Sequence, residues 1–267
     1  MWAGGLVWST MWGMLAYNLS FKVYHAMAVL EMNSPATPAW RRAAPARYIS
    51  GMLRAIPLFY KYRTRTMIPF RAYAENLAMI SVVLANPRLN NGAIVECGTW
   101  KGGMAAGMIE TGGPERRYYF FDSFEGLPPA KDIDGLAAKR WQADTTSAIY
   151  HNNCTASLED FRHAVQMTGC TLDVIEVHKG FFENTLPAFD CPPIAVLRLD
   201  ADWYQSTMIC LEKFWPHIMP GGLILIDDYY AWEGCAKAVH AFLAAQQAPE
   251  RISRGPIGRV AFIIKIN

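Results

Sequence analysis

The chain has 267 residues, of which 52% are hydrophobic and 18% are charged. This composition excludes a largely disordered protein and suits one large α/β domain with an N-terminal extension. The net charge of +2 is unevenly spread, because residues 1–71 hold nine Lys or Arg and only one acidic residue, Glu31. These basic residues form no dense run or recognised module, so we exclude nucleic acid as a partner. The basic residues could instead contact a membrane surface, an anionic partner or the acidic remainder of the chain, and the sequence leaves these three alternatives open.

The N-terminal segment and the cysteines bear on where the protein resides. Residues 1–21 contain no charged side chain but include polar residues and three glycines. Their length is just enough for a bilayer, and they lack the basic leader of a signal peptide. We favour a docked, interfacial or oligomer-forming helix, and we expect a homo-oligomer, with membrane contact as the less favoured alternative. Six cysteines without C-x-x-C spacing indicate reduced thiols and a cytoplasmic protein.

Strand-like and helix-like stretches alternate after a proline-broken linker at residues 33–48. Apolar runs predict strands at residues 93–97, 118–121, 172–177, 194–199, 223–226 and 260–265. Helices are predicted at residues 71–85, 158–168, 206–214 and 234–245, and Ser157 is the expected cap of the second. Nearly all-apolar strands between helices indicate a parallel sheet covered on both faces, with the late strand antiparallel at an edge. We therefore predict an extension at residues 1–63 and an α/β domain at residues 64–267.

Carboxylates stand where the predicted strands end. The five are Glu96, Asp122, Asp200, Asp227 and Asp228. The carboxyl ends of parallel strands share one edge, which is where open α/β sheets bind ligands. Five carboxylates there would repel one another unless a cation lies among them. The pair at 227–228 together with Asp200 and Asp202 favours a Mg²⁺ site, since helix capping explains one aspartate but not this group.

A glycine-bearing turn joins the first predicted strand to the next helix. Its sequence, ECGTWKGG at residues 96–103, has the spacing G-x-x-x-G-G, which is neither the dinucleotide fingerprint nor a P-loop. The helix N-terminus behind it suits a carboxylate, such as that of a methionine moiety. Asp122 lies 26 residues after Glu96, at the end of the next strand. That position suits an acceptor for ribose hydroxyls, so the pattern favours a nucleoside ligand over a purely structural turn.

Five ordered segments of the chain resemble the macrocin O-methyltransferase family, the Mg²⁺-dependent S-adenosylmethionine enzymes of macrolide sugar tailoring. They are VECGTWKGG (95–103), FDSFEGLP (121–128), KGFFENTLP (179–187), LRLDADWYQST (197–207) and PGGLILIDDY (220–229). The second and fourth are the most specific, whereas the first alone would indicate only a methyltransferase-like turn. The resemblance covers about three quarters of the chain and leaves residues 1–63 unmatched.

The resemblance implies a fold, two cofactors and a set of site residues. The fold is the Rossmann-like class I methyltransferase fold, a seven-stranded mostly parallel sheet with an antiparallel last strand, helices on both faces and here an N-terminal helical extension. The S-adenosylmethionine residues it implies are Glu96, Gly98, Trp100, Gly102, Asp122, Ser123, Gly180 and Phe181. Mg²⁺ is implied at Asp200, Asp227 and Asp228. The expected partner is a small-molecule hydroxyl acceptor, the sugar of a glycosylated natural product or another vicinal diol.

Two departures from related enzymes affect the expected mechanism. More distant catechol-type methyltransferases have a catalytic lysine where this chain has Trp203, so Asp200 becomes the candidate proton acceptor. The family's serine after the glycine pair is Met104 here. A non-catalytic methyltransferase-like binding or scaffold protein therefore stays as the alternative. An NAD-dependent dehydrogenase fails on the glycine spacing and leaves the aspartate pair unexplained.

Overall fold

A computed structural model describes residues 44–266, in which seven strands form one sheet. The strands are β1 (Ala93–Cys97), β2 (Tyr118–Asp122), β3 (Ile175–Lys179), β4 (Ile194–Leu199), β5 (Ile218–Ile226), β6 (Ser253–Arg254) and β7 (Ala261–Ile264). Their order across the sheet is β3-β2-β1-β4-β5-β7-β6. Strands β1 to β5 are parallel, and β7 is antiparallel to both β5 and β6. The predicted mostly parallel sheet with an antiparallel last strand is confirmed.

The central strands are buried on both faces because their side chains are almost all apolar. Every residue of β1 and of β4 is buried, as is typical of a parallel sheet between two helical layers. The register sets Cys97 beside Phe121 of β2 and beside Leu199 of β4. The three strands therefore end at the same edge. The strand order reverses between β1 and β4, so this edge includes the switch point at which such sheets bind ligands.

Helices cover both faces of the sheet. They are α1 (Ala44–Tyr62), α2 (Phe70–Val83), α3 (Gly103–Gly112), α4 (Gly135–Ala143), α5 (Leu158–Gln166), α6 (Phe182–Thr185), α7 (Tyr204–Phe214) and α8 (Glu233–Ala245). Apolar side chains of α1, α2, α3 and α5 form one core layer, and those of α7 and α8 form the other. Ser157 caps α5 as predicted, since its hydroxyl accepts the Asp160 N–H at 3.0 Å.

Several predicted boundaries shift in the structure. The predicted strand at 172–177 begins as a 3₁₀ turn at Leu172–Val174, and β3 follows it. Strand β5 begins at Ile218, five residues before the predicted start, and an irregular register with β4 accommodates its Pro-Gly-Gly segment. The late strand β7 is not at the edge, because β6 covers it. Strand β6 has only two residues, both polar, and gives no signal in the sequence.

The described part of the predicted extension is α1, which ends one residue before the predicted boundary at 63–64. It packs on α2 so closely that a side chain at Gly51 would meet the Ala78 backbone. The apolar segment at residues 1–21 lies outside the described residues. Within residues 44–266 no helix is long and apolar enough to cross a membrane. All six cysteines are free thiols, as predicted.

Candidate active site

A cavity of about 220 Å³ opens at the carboxyl ends of β1, β2, β4 and β5. Its walls come from the glycine turn after β1, the end of β2, residues 181–183, and the aspartates after β4 and β5. Residues 65–69, which connect α1 to α2, close one side. The cavity is therefore at the sheet edge where the sequence pattern predicts a ligand.

Two glycines give the turn after β1 its shape. Gly98 has a φ of +84°, and any Cβ there would overlap the backbone oxygen of Asp200. Gly102 has a φ of +79° and stands at the N-terminus of α3, where a Cβ would come within 2.9 Å of the Phe161 ring. Only glycine combines left-handed backbone with such close packing. Gly98 lines the cavity, whereas Gly102 shapes the turn from outside the lining.

We expect Gly98→Ala to destabilise the protein more than Gly169→Ala. Both glycines have a positive φ, +84° and +72°, so both variants carry a backbone penalty of about 1–2 kcal/mol. A Cβ at Gly169 meets nothing within 4 Å, whereas one at Gly98 collides with Asp200. Urea unfolding of the two variants measures the difference, which reports the cost of displacing the Asp200 backbone. Equal losses would show that the close approach at Gly98 has no energetic consequence.

Asp122 at the end of β2 holds the glycine turn in place. One carboxylate oxygen accepts the backbone N–H groups of Thr99 and Trp100 at 2.7 and 2.8 Å, and the other accepts that of Phe124 at 2.7 Å. The first oxygen also accepts the Thr99 hydroxyl at 3.3 Å, whereas the second has only Phe124. Each carboxylate oxygen has about two acceptor sites, so one site on the second oxygen remains for a ligand hydroxyl. The adjacent Ser123 hydroxyl donates to its own loop, to the Gly126 carbonyl at 2.9 Å. Asp122 thus has a structural function besides its predicted one.

The remaining predicted cofactor residues lie around the same cavity. Trp100 lines it and has a φ of +48°, and its buried indole N–H has no hydrogen-bond partner among the described residues. Phe181 lines the wall that follows β3, and Gly180 forms the turn before it with a φ of +142°. Glu96 is completely buried at the base, and one of its oxygens has no partner in the described part of the chain. Two buried polar atoms in residues that line the cavity, the Trp100 indole nitrogen and one Glu96 oxygen, therefore have no partner within the described residues.

A buried arginine connects three of the carboxylates. Arg198 is fully buried in β4, and one of its terminal nitrogens donates to Glu96 at 2.8 Å and to Asp200 at 2.9 Å. Its other terminal nitrogen donates to Asp227 at 2.6 Å. This guanidinium is part of the positive charge that five clustered carboxylates require. Arg198 is a site residue that the sequence motifs do not predict, although it is the one charged residue in the otherwise apolar strand IAVLRL.

The aspartates group differently from the predicted metal set. Carboxylate oxygens of Asp200, Asp202 and Asp228 lie within 4.8 Å of one another. Asp227, predicted as a ligand, is not in this group, and its carboxylate accepts a hydrogen bond from Arg198 at 2.6 Å, as that of Asp200 does at 2.9 Å. Asp202 has a left-handed backbone with a φ of +54°, and its carboxylate accepts the Trp232 indole N–H at 2.9 Å. The separation of the carboxylate oxygens therefore groups Asp202, and not Asp227, with Asp200 and Asp228.

Burial raises the pKa of most of these carboxyl groups. Desolvation raises the pKa of Glu96 to about 8 and that of Asp200 to about 6, although Arg198 opposes both shifts. Desolvation, followed by repulsion from neighbouring aspartates, raises the pKa of Asp202 and of Asp228 well above the usual range. A cation bound in the cavity would favour the ionised forms. The hard oxygen donors fit a divalent cation such as Mg²⁺.

Trp203 occupies the position at which catechol-type methyltransferases have a catalytic lysine. Its side chain is 2% exposed, and its indole N–H donates to the Pro128 carbonyl at 2.9 Å. The residue at this position therefore fastens the 121–128 loop rather than facing a substrate. Met104 is buried at the start of α3 and lines the cavity with a thioether instead of a hydroxyl.

Sequence comparisons match this chain to one family. The family described as macrocin-O-methyltransferase (TylF) matches residues 62–260. The 8-demethyl-8-(2,3-dimethoxy-α-L-rhamnosyl)-tetracenomycin-C 4′-O-methyltransferase of Streptomyces olivaceus is 35% identical over 157 residues, 57% of this chain and 58% of the relative. The mycinamicin III 3″-O-methyltransferase of Micromonospora griseorubida is 31% identical over 159 residues, 57% of this chain and 60% of the relative. The alignments thus span less than two thirds of either relative.

Solved structures show the same fold. The O-methyltransferase NovP has a TM-score of 0.62 at 24% identity, with 76% of this chain and 83% of that chain covered. The calicheamicin methyltransferase has a TM-score of 0.54 at 20% identity, with 81% of this chain and 91% of that chain covered. These likenesses establish the class I methyltransferase architecture.

Proposed function

The chain belongs to the macrocin O-methyltransferase family, and on this premise we propose that it transfers a methyl group from S-adenosylmethionine to a small-molecule hydroxyl. The observation that carries the proposal is a single cavity in which the glycine turn and Asp122 face the aspartates after β4 and β5. The acceptor class we propose is the sugar of a glycosylated natural product or another vicinal diol. It is supported by the names of the relatives, which act on a rhamnosyl tetracenomycin and on mycinamicin III.

The cofactor proposal is supported by unused groups in the cavity. Asp122 offers acceptor capacity for ribose hydroxyls, and Phe181 offers an apolar wall for the adenine. Asp200 offers negative charge to the ammonium and sulfonium groups of the cofactor. Glu96, whose pKa of about 8 leaves it mostly protonated at neutral pH, would join Asp200 once a bound cation favours its ionised form. When bound, S-adenosylmethionine supplies the electrophilic methyl group. The contribution of the protein is to orient the two reactants and to exclude water.

The magnesium proposal is supported by the three-carboxylate group. We assign Asp200 and Asp228 as ligands, with Asp202 as the third donor and Asp227 held beside them by Arg198. When bound, Mg²⁺ supplies a Lewis acid that lowers the pKa of an acceptor hydroxyl. Asp200 is about 30% exposed and lines the cavity, so it stays our candidate for the group that receives the hydroxyl proton.

Three further proposals accompany this function. We assign residues 64–267 to the methyltransferase domain and residues 1–63 to its extension, and we propose a cytoplasmic homo-oligomer.

A non-catalytic binding protein is the second candidate function, and it is favoured by Met104 and Trp203. It is disfavoured by the costly clustering of desolvated aspartates beside an open cavity, which a protein without turnover does not need.

Cofactor binding tests the proposal directly. We expect S-adenosylmethionine or S-adenosylhomocysteine, but not NAD, to raise the melting temperature. Asp122→Ala should weaken that binding by about 1.5–3 kcal/mol, roughly 10- to 150-fold, because a charged hydrogen-bond acceptor is lost. Glu125→Ala is the matched control, since this exposed carboxylate lies on the same loop but outside the cavity. Stabilisation by NAD alone would contradict the proposed function. Cofactor binding without methyl transfer to any of a panel of polyols would favour the non-catalytic candidate.

A further inference from the structure

Trp232 supports one of the three clustered carboxylates from outside the cavity. Its indole N–H donates to Asp202 Oδ1 at 2.9 Å, and within residues 44–266 no other hydrogen-bond donor contacts that carboxylate. Asp202 lines the cavity, whereas Trp232 does not. The indole therefore holds a carboxylate of the site without itself reaching the cavity.

The other two members of the carboxylate group each have a different partner. Asp200 accepts a hydrogen bond from Arg198 at 2.9 Å, and Asp228 Oδ2 accepts the backbone N–H of Asp202 at 3.0 Å. Neither bond holds the Asp202 side chain, because the first goes to another aspartate and the second leaves from the Asp202 backbone. Within the described residues, the hydrogen-bonded support of the Asp202 carboxylate thus comes from Trp232.

Asp202 is the member of the group that most needs such support. It lies between the end of β4 and the start of α7, so neither a strand nor a helix fixes its backbone. Its φ of +54° is left-handed, a conformation that residues other than glycine adopt at an energetic cost. Side chains that ligate metals are commonly oriented by hydrogen bonds from residues behind them. The Trp232 indole provides a hydrogen bond of this kind to Asp202.

Trp232 is itself held by its neighbours in the chain and in space. It directly precedes α8, and its backbone N–H donates to the Asp228 carbonyl at 2.9 Å. Its ring packs edge-on against those of Trp203 and Trp141, with ring centroids 5.3 and 5.8 Å away. The turn that presents Asp228 to the carboxylate group therefore also presents the Trp232 indole to Asp202.

We propose that Trp232 is a positioning residue that orients the Asp202 carboxylate as the third oxygen donor of the cation site. This inference rests on the proposed function, because it requires a divalent cation at the three carboxylates. Trp232 acts only through Asp202 and does not contact the reacting groups. Its loss should therefore change the affinity for the cation and leave the cofactor residues around Asp122 unchanged.

Titration of the chelated full-length protein with Mn²⁺, followed by electron paramagnetic resonance, tests the proposal without turnover. We expect Trp232→Phe to lower the affinity for Mn²⁺ about tenfold, because residues that support metal ligands change affinity roughly 10- to 100-fold. The phenyl ring keeps an aromatic side chain beside Trp203 but cannot donate a hydrogen bond. Trp141→Phe is the matched control, because it removes an indole N–H of the same aromatic cluster that donates instead to the Ile149 carbonyl at 2.9 Å. This control should leave the affinity for Mn²⁺ unchanged.

A double variant tests whether Trp232 acts through Asp202. Asp202→Ala should lower the affinity for Mn²⁺ by at least as much as Trp232→Phe does. Adding Trp232→Phe to Asp202→Ala should then cause no further loss, because the carboxylate that the indole orients is already absent. A merely structural effect of Trp232 on the fold would instead give two losses that add.

The outcomes separate this inference from the proposed function. Unchanged affinity for Mn²⁺ in Trp232→Phe or in Asp202→Ala would overturn the inference while the proposed function stands. Equal losses in Trp232→Phe and Trp141→Phe, or additive losses in the double variant, would do the same. An absence of Mn²⁺ binding to the unaltered protein would overturn both the inference and the proposed cation site.

Discussion

We expect Arg198→Met to lower the free energy of unfolding by about 3–5 kcal/mol and to abolish methyl transfer. The variant keeps most of the volume of the side chain in β4 but removes the guanidinium that contacts Glu96, Asp200 and Asp227. Three desolvated carboxyl groups then lose their common partner, and the proposed proton acceptor loses its orientation. Denaturant unfolding measures the first effect, and a methyl-transfer assay with a confirmed acceptor measures the second.

A double variant separates loss of charge pairing from loss of packing. Arg198→Met combined with Asp227→Asn should be more stable than Arg198→Met alone, because one uncompensated charge is also removed. Arg117→Met is the surface control: Arg117 is 65% exposed and lies 3.9 Å from Glu176, so its loss should cost less than about 1 kcal/mol. If Asp227→Asn instead adds to the loss, the pair contributes through packing and our electrostatic account is wrong.

The sheet could be predicted closely because its strands are short apolar runs between clear turn signals. Strands β1 and β4 match their predicted bounds, since burial on both faces requires continuous apolar sequence. Strand β6 could not be predicted, because Ser253 and Arg254 are strand residues only through pairing with β7. The predicted start of β3, Leu172, is three residues before the observed start at Ile175. Leu172 is apolar but 62% exposed, and the local backbone forms a 3₁₀ turn there.

The site could be predicted as a set of carboxylates but not as a network. Repulsion among the acidic residues at the strand ends predicts a cation between them, and the sequence pattern identifies that cation as Mg²⁺ without including Arg198. Which way Arg198 points depends on the parallel register of β4 between β1 and β5, and this register is a long-range property. The placement of Asp202 depends on a left-handed backbone conformation, which cannot be predicted from the residue type alone. Asp122 lies at the end of β2 and lines the cavity, whereas its three backbone partners come from loop geometry that the sequence does not show.

Metal removal should have the second large effect. We expect EDTA to reduce methyl transfer to background and added Mg²⁺ to restore it, because the acceptor hydroxyl then lacks a Lewis acid at neutral pH. Asp228→Asn should lower metal affinity by about 100-fold or more, since even residues that only support ligands change affinity roughly 10- to 100-fold. Titration of the chelated protein with Mn²⁺, followed by electron paramagnetic resonance, measures this affinity without any need for turnover.

Asp227→Asn is the matched control for Asp228→Asn, because the two residues are adjacent but have different partners. Asp228 belongs to the group whose oxygens lie within 4.8 Å of one another, whereas Asp227 pairs with Arg198 at 2.6 Å. Asp227→Asn should therefore lower the free energy of unfolding more than Asp228→Asn does. Asp228→Asn should lower the affinity for Mn²⁺ more than Asp227→Asn does. S-adenosylmethionine should bind both variants, since Asp122 and the glycine turn belong to other strands. Full methyl transfer in excess EDTA would remove the metal from the mechanism, and an equal loss of Mn²⁺ affinity in both variants would return Asp227 to the ligand set.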